Sequence, residues 1–270
     1  MDFISKNDLE FAQFKNLICF PELFHGVTTR AGGVSPEPFR SLNLGNTTGD
    51  NEANVGKNYE RLSRALGFDL QTVVSSHQVH GTEIAVIKKA PARSMPFPAA
   101  HALDGYDGFI TAVPNIPLLV RVADCVPVIL YEPDSKALAV VHAGWKGTAG
   151  GIAAKAAGLM VHHYQCDMKK IRAGIGPSIG PCCYEVRQDV AACFRKTIGN
   201  KRFLMPEETE NIFSLDLPEV NRLQLIESGL APEHIELSWH CTACNSNLFF
   251  SHRGEKGKTG RFALVAGLRG

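Results

Sequence analysis

The sequence predicts an α+β protein: a layered, mixed β-sheet with helices on its faces, in one domain spanning residues 1–270. Short, β-branched apolar runs crowd the middle of the chain: "TVVSSHQVH", "TEIAVIK", "DGFIT", "PLLVRVA", "VPVILYEP" and "ALAVVHA". They are short for helices, and several are apolar throughout, as strands buried on both faces are. Helical spacing appears between and after them. Some strands follow one another closely enough to form hairpins, so the sheet is expected to be mixed.

Taken in order, the first helix is expected over residues 52–66. Residues 88–105, "KKAPARSMPFPAAHALDG", read as a surface excursion rich in proline and alanine. Further helices are expected over 148–163, 187–198 and 218–228, each with apolar residues at helical spacing. Pro218 suits a first helical turn and Gly229 a C-terminal stop. The sequence contains no internal repeat and no low-complexity tract.

The 270 residues are 44% hydrophobic and 20% charged, which is enough apolar material for a large core. A net charge of +1 gives no general attraction for nucleic acid or a membrane surface. Basic residues gather locally, at Arg253, Lys256, Lys258 and Arg261, in a pattern that fits an anion site. The best apolar stretch, "PLLVRVADCVPVIL", is interrupted by Arg121 and Asp124 and falls short of the roughly 18 residues a membrane helix needs. "MDFISKNDLEF" lacks the apolar centre of a secretory signal. Eight cysteines in that setting are expected to be reduced thiols, and the expected location is cytoplasmic.

Three stretches place reactive residues where apolar runs end: "SSHQVHG" with His77 and His80, "RVADCVP" with Asp124 and Cys125, and "VVHAGWKG" with His142. Strand ends are where α/β folds gather their sites. Histidine and cysteine suit zinc, and three protein ligands leave a fourth position for water. Each residue also has a plain structural reading, since a cysteine in an apolar run is commonly a small buried hydrophobe. The spacings from His80 to Cys125 and from Cys125 to His142 form no local metal motif.

Other segments compete. Cys241 and Cys244 form a C-x-x-C pair, but the adjacent Cys182 and Cys183 make a poor second pair, so Cys241 and Cys244 are not expected to ligate zinc. "HRGEKGKTG" resembles a phosphate loop, but His252 stands where the motif needs glycine, and a short strand-like segment follows where it needs a helix. Its basic side chains remain candidates for phosphate. "TTRAGGVS" sets Arg30 beside two glycines, and "GPSIGPCCYEV" reads as a rigid loop.

Together, "TTRAGGVS", "SSHQVHGTEI", "DGFIT" with "RVADCVPVILYEP", "AVVHAGWKGT", "GPSIGPCCYEV" and "CT…FFSHRGEKGKTGR" resemble, in their order, the YfiH/DUF152 family. That family carries both a polyphenol oxidase (laccase-domain) and a purine nucleoside phosphorylase label. The resemblance covers about residues 25–266; Lys146 stands where many members have arginine. It implies a layered α-β-α domain with a mixed sheet. It implies a zinc site falling on His80, Cys125 and His142. It also implies phosphorolysis of adenosine, inosine and S-methyl-5′-thioadenosine, with adenosine deamination at the same site. Purine nucleosides and phosphate are then the expected partners. Arg30, Lys146 and Arg253 are the candidates for phosphate, Cys125 and Asp124 for catalysis. Asp124 reads equally as a residue that orients a ligand. The glycines after His142 are expected to admit substrate, and the helix beyond them to offer its N-terminus to an anion. Three other readings stand beside this one, the first a non-catalytic binding partner in which zinc serves structure alone. A metal-free cysteine hydrolase would use Cys125 with His142. A copper polyphenol oxidase would need several histidine-rich copper sites, whereas the ten histidines here include no His-x-His pair.

Overall fold

A computed structural model describes residues 1–90, 103–195, 203–207 and 209–270. Most of the proline-rich stretch at 88–105 and the end of the helix expected over 187–198 lie outside these residues.

Two large sheets lie face to face. One runs in the order β1 (Asp2–Lys6), β2 (Leu9–Gln13), β3 (Leu23–Thr28), β14 (Phe262–Leu268), β6 (Leu118–Val122), all antiparallel. The other is mixed. Its order is β13 (Ile235–Leu237), β9 (Arg172–Ile175), β7 (Val126–Glu132), β8 (Ala137–Ala143), β5 (Gly108–Thr111), β4 (Ile84–Ile87). The β13–β9 and β4–β5 pairs are parallel and the inner ones antiparallel. A small third sheet joins β10 (Glu185–Arg187), β12 (Ile212–Leu215) and β11 (Leu204–Pro206).

Alternation along the inner strands explains the layering. On β7, Ile129 and Tyr131 face the first sheet, where they meet Val120, Val122, Phe262 and Leu264 in one apolar cluster. Val126, Val128 and Leu130 face the other way and meet the helices. β7 and β8 are buried along their whole length, as the continuous apolar runs predicted. Each fully buried Val, Leu, Ile or Phe contributes about 1.5–3 kcal/mol of transfer free energy. The β layer of the expected α-β-α sandwich is thus two sheets thick.

Helix α1 (Glu52–Leu66) covers the outer face of the five-stranded sheet with Val55, Tyr59, Leu62 and Leu66, spaced three or four residues apart. Asn51 caps it by accepting from the Ala53 amide at 2.8 Å, and Gly67 ends it at φ 74°. On the far face lie α3 (Ile152–Tyr164), α4 (Gln188–Arg195) and α5 (Leu217–Glu227). Pro218 does stand in the first turn of α5, and Gly229 follows the helix at φ 108°.

Two expected elements differ. The helix expected over 148–163 is two pieces, α2 (Trp145–Ala149) and α3, because Gly150 and Gly151 break the ladder and Gly151 takes φ 71°. "TVVSSHQVH" is not a strand; only Val74 bridges, to Leu118. Beyond it the chain turns so that the amides of Val79, His80 and Gly81 all donate to the carboxylate of Asp107.

Candidate functional site

The crossing between the two sheets builds the site. β6 belongs to one sheet and β7 to the other, and only Ala123, Asp124 and Cys125 connect them. Asp124 takes φ 90° in that turn. β8 pairs with β7 so that Ala143 lies opposite Val126 and His142 opposite Pro127, which brings His142 beside Cys125. His80 reaches the same point from the loop before β4, at φ 59°. The donor atoms of His80, Cys125 and His142 lie within 4.8 Å of one another. The His80 and His142 rings stand edge to face, 4.7 Å apart.

Asp107 arranges this group. It immediately precedes β5, the antiparallel neighbour of β8, and its backbone oxygen accepts from the His142 amide at 2.7 Å. Its Oδ1 lies 2.8 Å from His142 Nδ1 and also accepts from the His80 amide at 3.0 Å. One buried carboxylate therefore fixes the His142 ring, leaving Nε2 free, and fixes the backbone of His80. This is the arrangement that orients a metal-ligating histidine. Burial works against ionisation of Asp107, but the bonds to His142, Gly81 and His80 outweigh it and hold its carboxyl below the usual range. Burial raises the Cys125 thiol; His142 and His80 more than reverse this and bring it down to about 6. The same pairing lifts His142 to about 9 against burial, through Cys125 and Asp107. A thiolate, an oriented imidazole and a second imidazole form a donor set that fits a soft or borderline metal ion.

Gly144 is required by this packing. A Cβ there would lie 2.6 Å from His80 Nδ1 and 3.3 Å from Cys125 Sγ. The glycine after His142 thus makes room for the donor group itself.

The donors lie between two cavities. The larger, about 470 Å³, is lined by His80, Cys125 and His142 and by three arginines, Arg121, Arg253 and Arg261. The second, about 340 Å³, shares His80, Cys125 and Tyr184 and adds Trp145, Lys146 and Leu217.

The other expected site residues fare differently. Arg253 lines the larger cavity and packs its guanidinium over Tyr184 at 5.3 Å. Lys146 lines the smaller one, 5.5 Å over Trp145. Arg30 does not line either cavity. Its guanidinium bonds to the backbone oxygens of Arg40 and Ser246, pairs with Glu255 at 3.0 Å and covers the Phe250 ring. These contacts make it a brace, since its fork is engaged by protein groups. The Asp124 carboxylate accepts from Thr242 Oγ1 (2.6 Å), Ser251 Oγ (2.7 Å) and the Arg253 amide (2.6 Å). It ties the loops carrying Thr242 and Ser251–Arg253 to the turn between β6 and β7. The helix after His142, α2, has five residues, too short for a substantial N-terminal dipole.

Asp107 and Arg121 escaped the sequence reading as site residues, while Arg261 belongs to the basic cluster read there as an anion site. Arg121 carried a signal: a charged residue inside the continuous apolar run "LLVRV". It is 8% exposed, and its Nη1 has no hydrogen-bond partner in the protein. Its Nη2 donates to the Ser76 backbone oxygen, and the side chain lines the larger cavity as a buried cation, a charge in place for an anion. "YDGFIT" held no such signal for Asp107.

One premise of the cysteine expectation, that adjacent Cys182 and Cys183 make a poor second pair, does not hold. The sulfurs of Cys182, Cys183, Cys241 and Cys244 also lie within 4.8 Å of one another, so adjacency in sequence does not keep the first two from the second pair.

Comparison with known proteins places these features in context. Residues 24–269 match the family model described as "Multi-copper polyphenol oxidoreductase laccase". The chain is 40% identical over 245 residues to "Purine nucleoside phosphorylase YlmD" of Geobacillus stearothermophilus, covering 90% of this chain and 89% of that protein. It is 36% identical over 245 residues to "Purine nucleoside phosphorylase" of Deinococcus radiodurans, covering 90% and 88%. Among solved structures it is similar to the hypothetical protein YfiH of Bacillus licheniformis, with TM-score 0.91, 36% identity and 99% of each chain covered. It is also similar to YlmD from Geobacillus stearothermophilus, with TM-score 0.90 and 37% identity, covering 96% of this chain and 99% of that one.

Proposed function

The chain belongs to the family described as multi-copper polyphenol oxidoreductase laccase, and on that premise we propose that it is a zinc-dependent purine nucleoside phosphorylase. It acts in the cytoplasm, as one domain, on adenosine, inosine and S-methyl-5′-thioadenosine, and deaminates adenosine at the same site. The observation that carries this reading is one cavity in which His80, Cys125 and His142 face Arg121, Arg253 and Arg261. The names of the relatives above support it.

Phosphorolysis needs a phosphate oxygen placed at C1′ of the ribose. The C–O bond forms there as the C1′–N9 bond breaks, the electron pair leaves with the purine, and the purine takes up a proton. The three guanidinium groups lining the cavity hold the phosphate dianion and keep its charge from repelling the approach. Trp145 and Tyr184 supply flat apolar walls for the purine in the adjoining cavity. Lys146 lies there as a cation for the charge that the leaving base acquires. His80, Cys125 and His142 would hold zinc, and Asp107 keeps His142 in the tautomer that presents Nε2. When bound, zinc supplies a Lewis acid able to acidify water near neutral pH, the chemistry that deamination at C6 of adenine requires.

The donor inventory favours this over copper oxidation. Among the described residues, one His/Cys/Asp/Glu group contains histidine, whereas a multicopper centre needs several. The second reading, a cysteine hydrolase, is favoured by one observation: Cys125, His142 and Asp107 also form a thiolate, imidazole and carboxylate chain.

Incubation of the pure protein with adenosine, with and without phosphate, tests the proposal. Adenine and ribose 1-phosphate are expected only with phosphate, and inosine in either case. Adenine release that ignores phosphate would overturn the phosphorylase reading. Full turnover in protein stripped of metal would overturn the zinc reading and favour the thiol.

A further inference from the structure

Behind the wall of the larger cavity, four cysteines converge from two loops. Cys182 and Cys183 follow Gly180, whose backbone oxygen accepts from the amides of Cys183 and Tyr184, both at 3.0 Å. Cys241 and Cys244 lie on a second turn, closed by the Asn245 amide donating to the Cys241 oxygen at 3.0 Å. A bridge between Ser178 and Cys241 and the Thr242 amide bonded to the Ser178 oxygen hold the two loops side by side.

The sulfurs meet at close range. Cys244 Sγ lies 3.6 Å from Cys182 Sγ and 3.4 Å from Cys183 Sγ, and all four lie within 4.8 Å of one another. None is in a disulfide. Tetrahedral zinc at the usual Zn–S length of about 2.3 Å sets its sulfurs roughly 3.8 Å apart. The two Cys244 separations fall slightly below that value, and the remaining pairs lie within 4.8 Å. The Gly180 amide donates to Cys241 Sγ at 3.3 Å, the kind of bond that stabilises a sulfur carrying negative charge. Gly180 also lets the loops approach, since a Cβ there would lie 3.3 Å from Cys241 Cβ and 3.5 Å from Cys182 Sγ.

We propose that Cys182, Cys183, Cys241 and Cys244 form a second metal centre, a closed four-thiolate site for zinc or a similarly thiophilic divalent cation. All four positions are filled by protein, which is the pattern of a structural rather than a catalytic site. Its effect falls on the cavities. The first loop also carries Ile179 and Tyr184, which line both. The second carries Thr242, which holds the Asp124 carboxylate at 2.6 Å. Tying the loops together fixes Tyr184 and Asp124 beside Cys125. Loading the site displaces the thiol protons to solvent, and no electron is transferred.

The test compares metal content per chain in the full-length protein and in Cys244→Ser, both grown with zinc and purified under reducing conditions without chelator. Cys244→Ser is expected to lose one equivalent of zinc, while Cys19→Ser, at an exposed cysteine outside the cluster, loses none. This difference does not depend on whether His80, Cys125 and His142 bind metal, so the two readings fail separately. Cobalt(II) titration of Cys125→Ala, with the four cysteines intact, gives the second measurement. It should show the intense visible and near-ultraviolet bands of tetrahedral four-thiolate cobalt at one equivalent. Unchanged metal content in Cys244→Ser would overturn the proposal. So would absent thiolate bands in Cys125→Ala, or a disulfide among the four cysteines in protein alkylated at lysis.

Discussion

Gly144→Ala separates the donor site from the fold. Gly144 has φ −70° and ψ 173°, a conformation that alanine adopts freely. The backbone therefore carries no strain, and the change reduces the freedom of the unfolded chain, worth about 0.4–1 kcal/mol in favour of folding. The conflict is local. The new methyl would lie 2.6 Å from His80 Nδ1, against roughly 3.5 Å for an ordinary contact. His80 must therefore retreat by about 0.9 Å, whereas metal–ligand distances hold to about ±0.2 Å. His80 is exposed on a loop, so it can retreat at little cost to the core. The expected result is a loss of metal affinity on the order of 100-fold, with the thermal midpoint within a few degrees of wild type. Competition with a zinc chelator of known affinity measures the first, and a thermal melt in chelator the second. Wild-type metal affinity in a folded Gly144→Ala protein would refute both the packing argument and the role of His80 as a donor.

Asp107→Asn should lower metal affinity roughly 10- to 100-fold, because the amide must turn its NH2 towards one of the two sets of N–H donors that the carboxylate now accepts and the site loses its orienting charge; the same chelator competition measures it. Arg121→Met should raise the KM for phosphate roughly 10- to 100-fold, matching about 1.5–3 kcal/mol for a lost charged hydrogen bond. Arg30→Met should leave that KM unchanged and lower the melting temperature, because Arg30 braces Glu255 and two backbone oxygens. Acid should destabilise the fold through His25. Burial holds this residue down to about 4, and its Nε2 accepts from the Phe14 amide at 2.9 Å. The unfolded chain binds a proton near the ordinary value of about 6.5, so it holds more protons than the folded chain between about 6.5 and 4. Stability is then full above that range and falls as pH drops through it, by up to about 3 kcal/mol. Denaturant titrations across this range should be flatter in His25→Gln; an identical slope in both proteins would refute the assignment.

Local pattern was sufficient wherever one strand or helix decides its own environment. The runs "VPVILYEP" and "ALAVVHA" were legible as buried strands because their apolar character is unbroken, and Pro218 and Gly229 act within a few residues of the ends they mark. Donor chemistry was legible at His80, Cys125 and His142 because each lies where an apolar run stops, with the resemblance selecting the three together. The sequence had no means of showing that the β layer is double, because facing sheets bury the same kind of residue that a covering helix does. The sorting of the arginines was equally out of reach. Arg30 and Arg121 differ in what surrounds their guanidinium groups: Glu255 and two backbone oxygens hold the first, while the second lines the cavity with one nitrogen on the Ser76 oxygen. Asp107 was hidden for the same reason, since its partners lie on a neighbouring strand and a distant loop. The strand expected at residues 72–80 failed because the amides of Val79, His80 and Gly81 turn onto that carboxylate instead of pairing in a ladder. Cys182 and Cys183 appeared unfit as a pair because spacing along a chain describes one loop, while a metal centre is defined by where two loops meet.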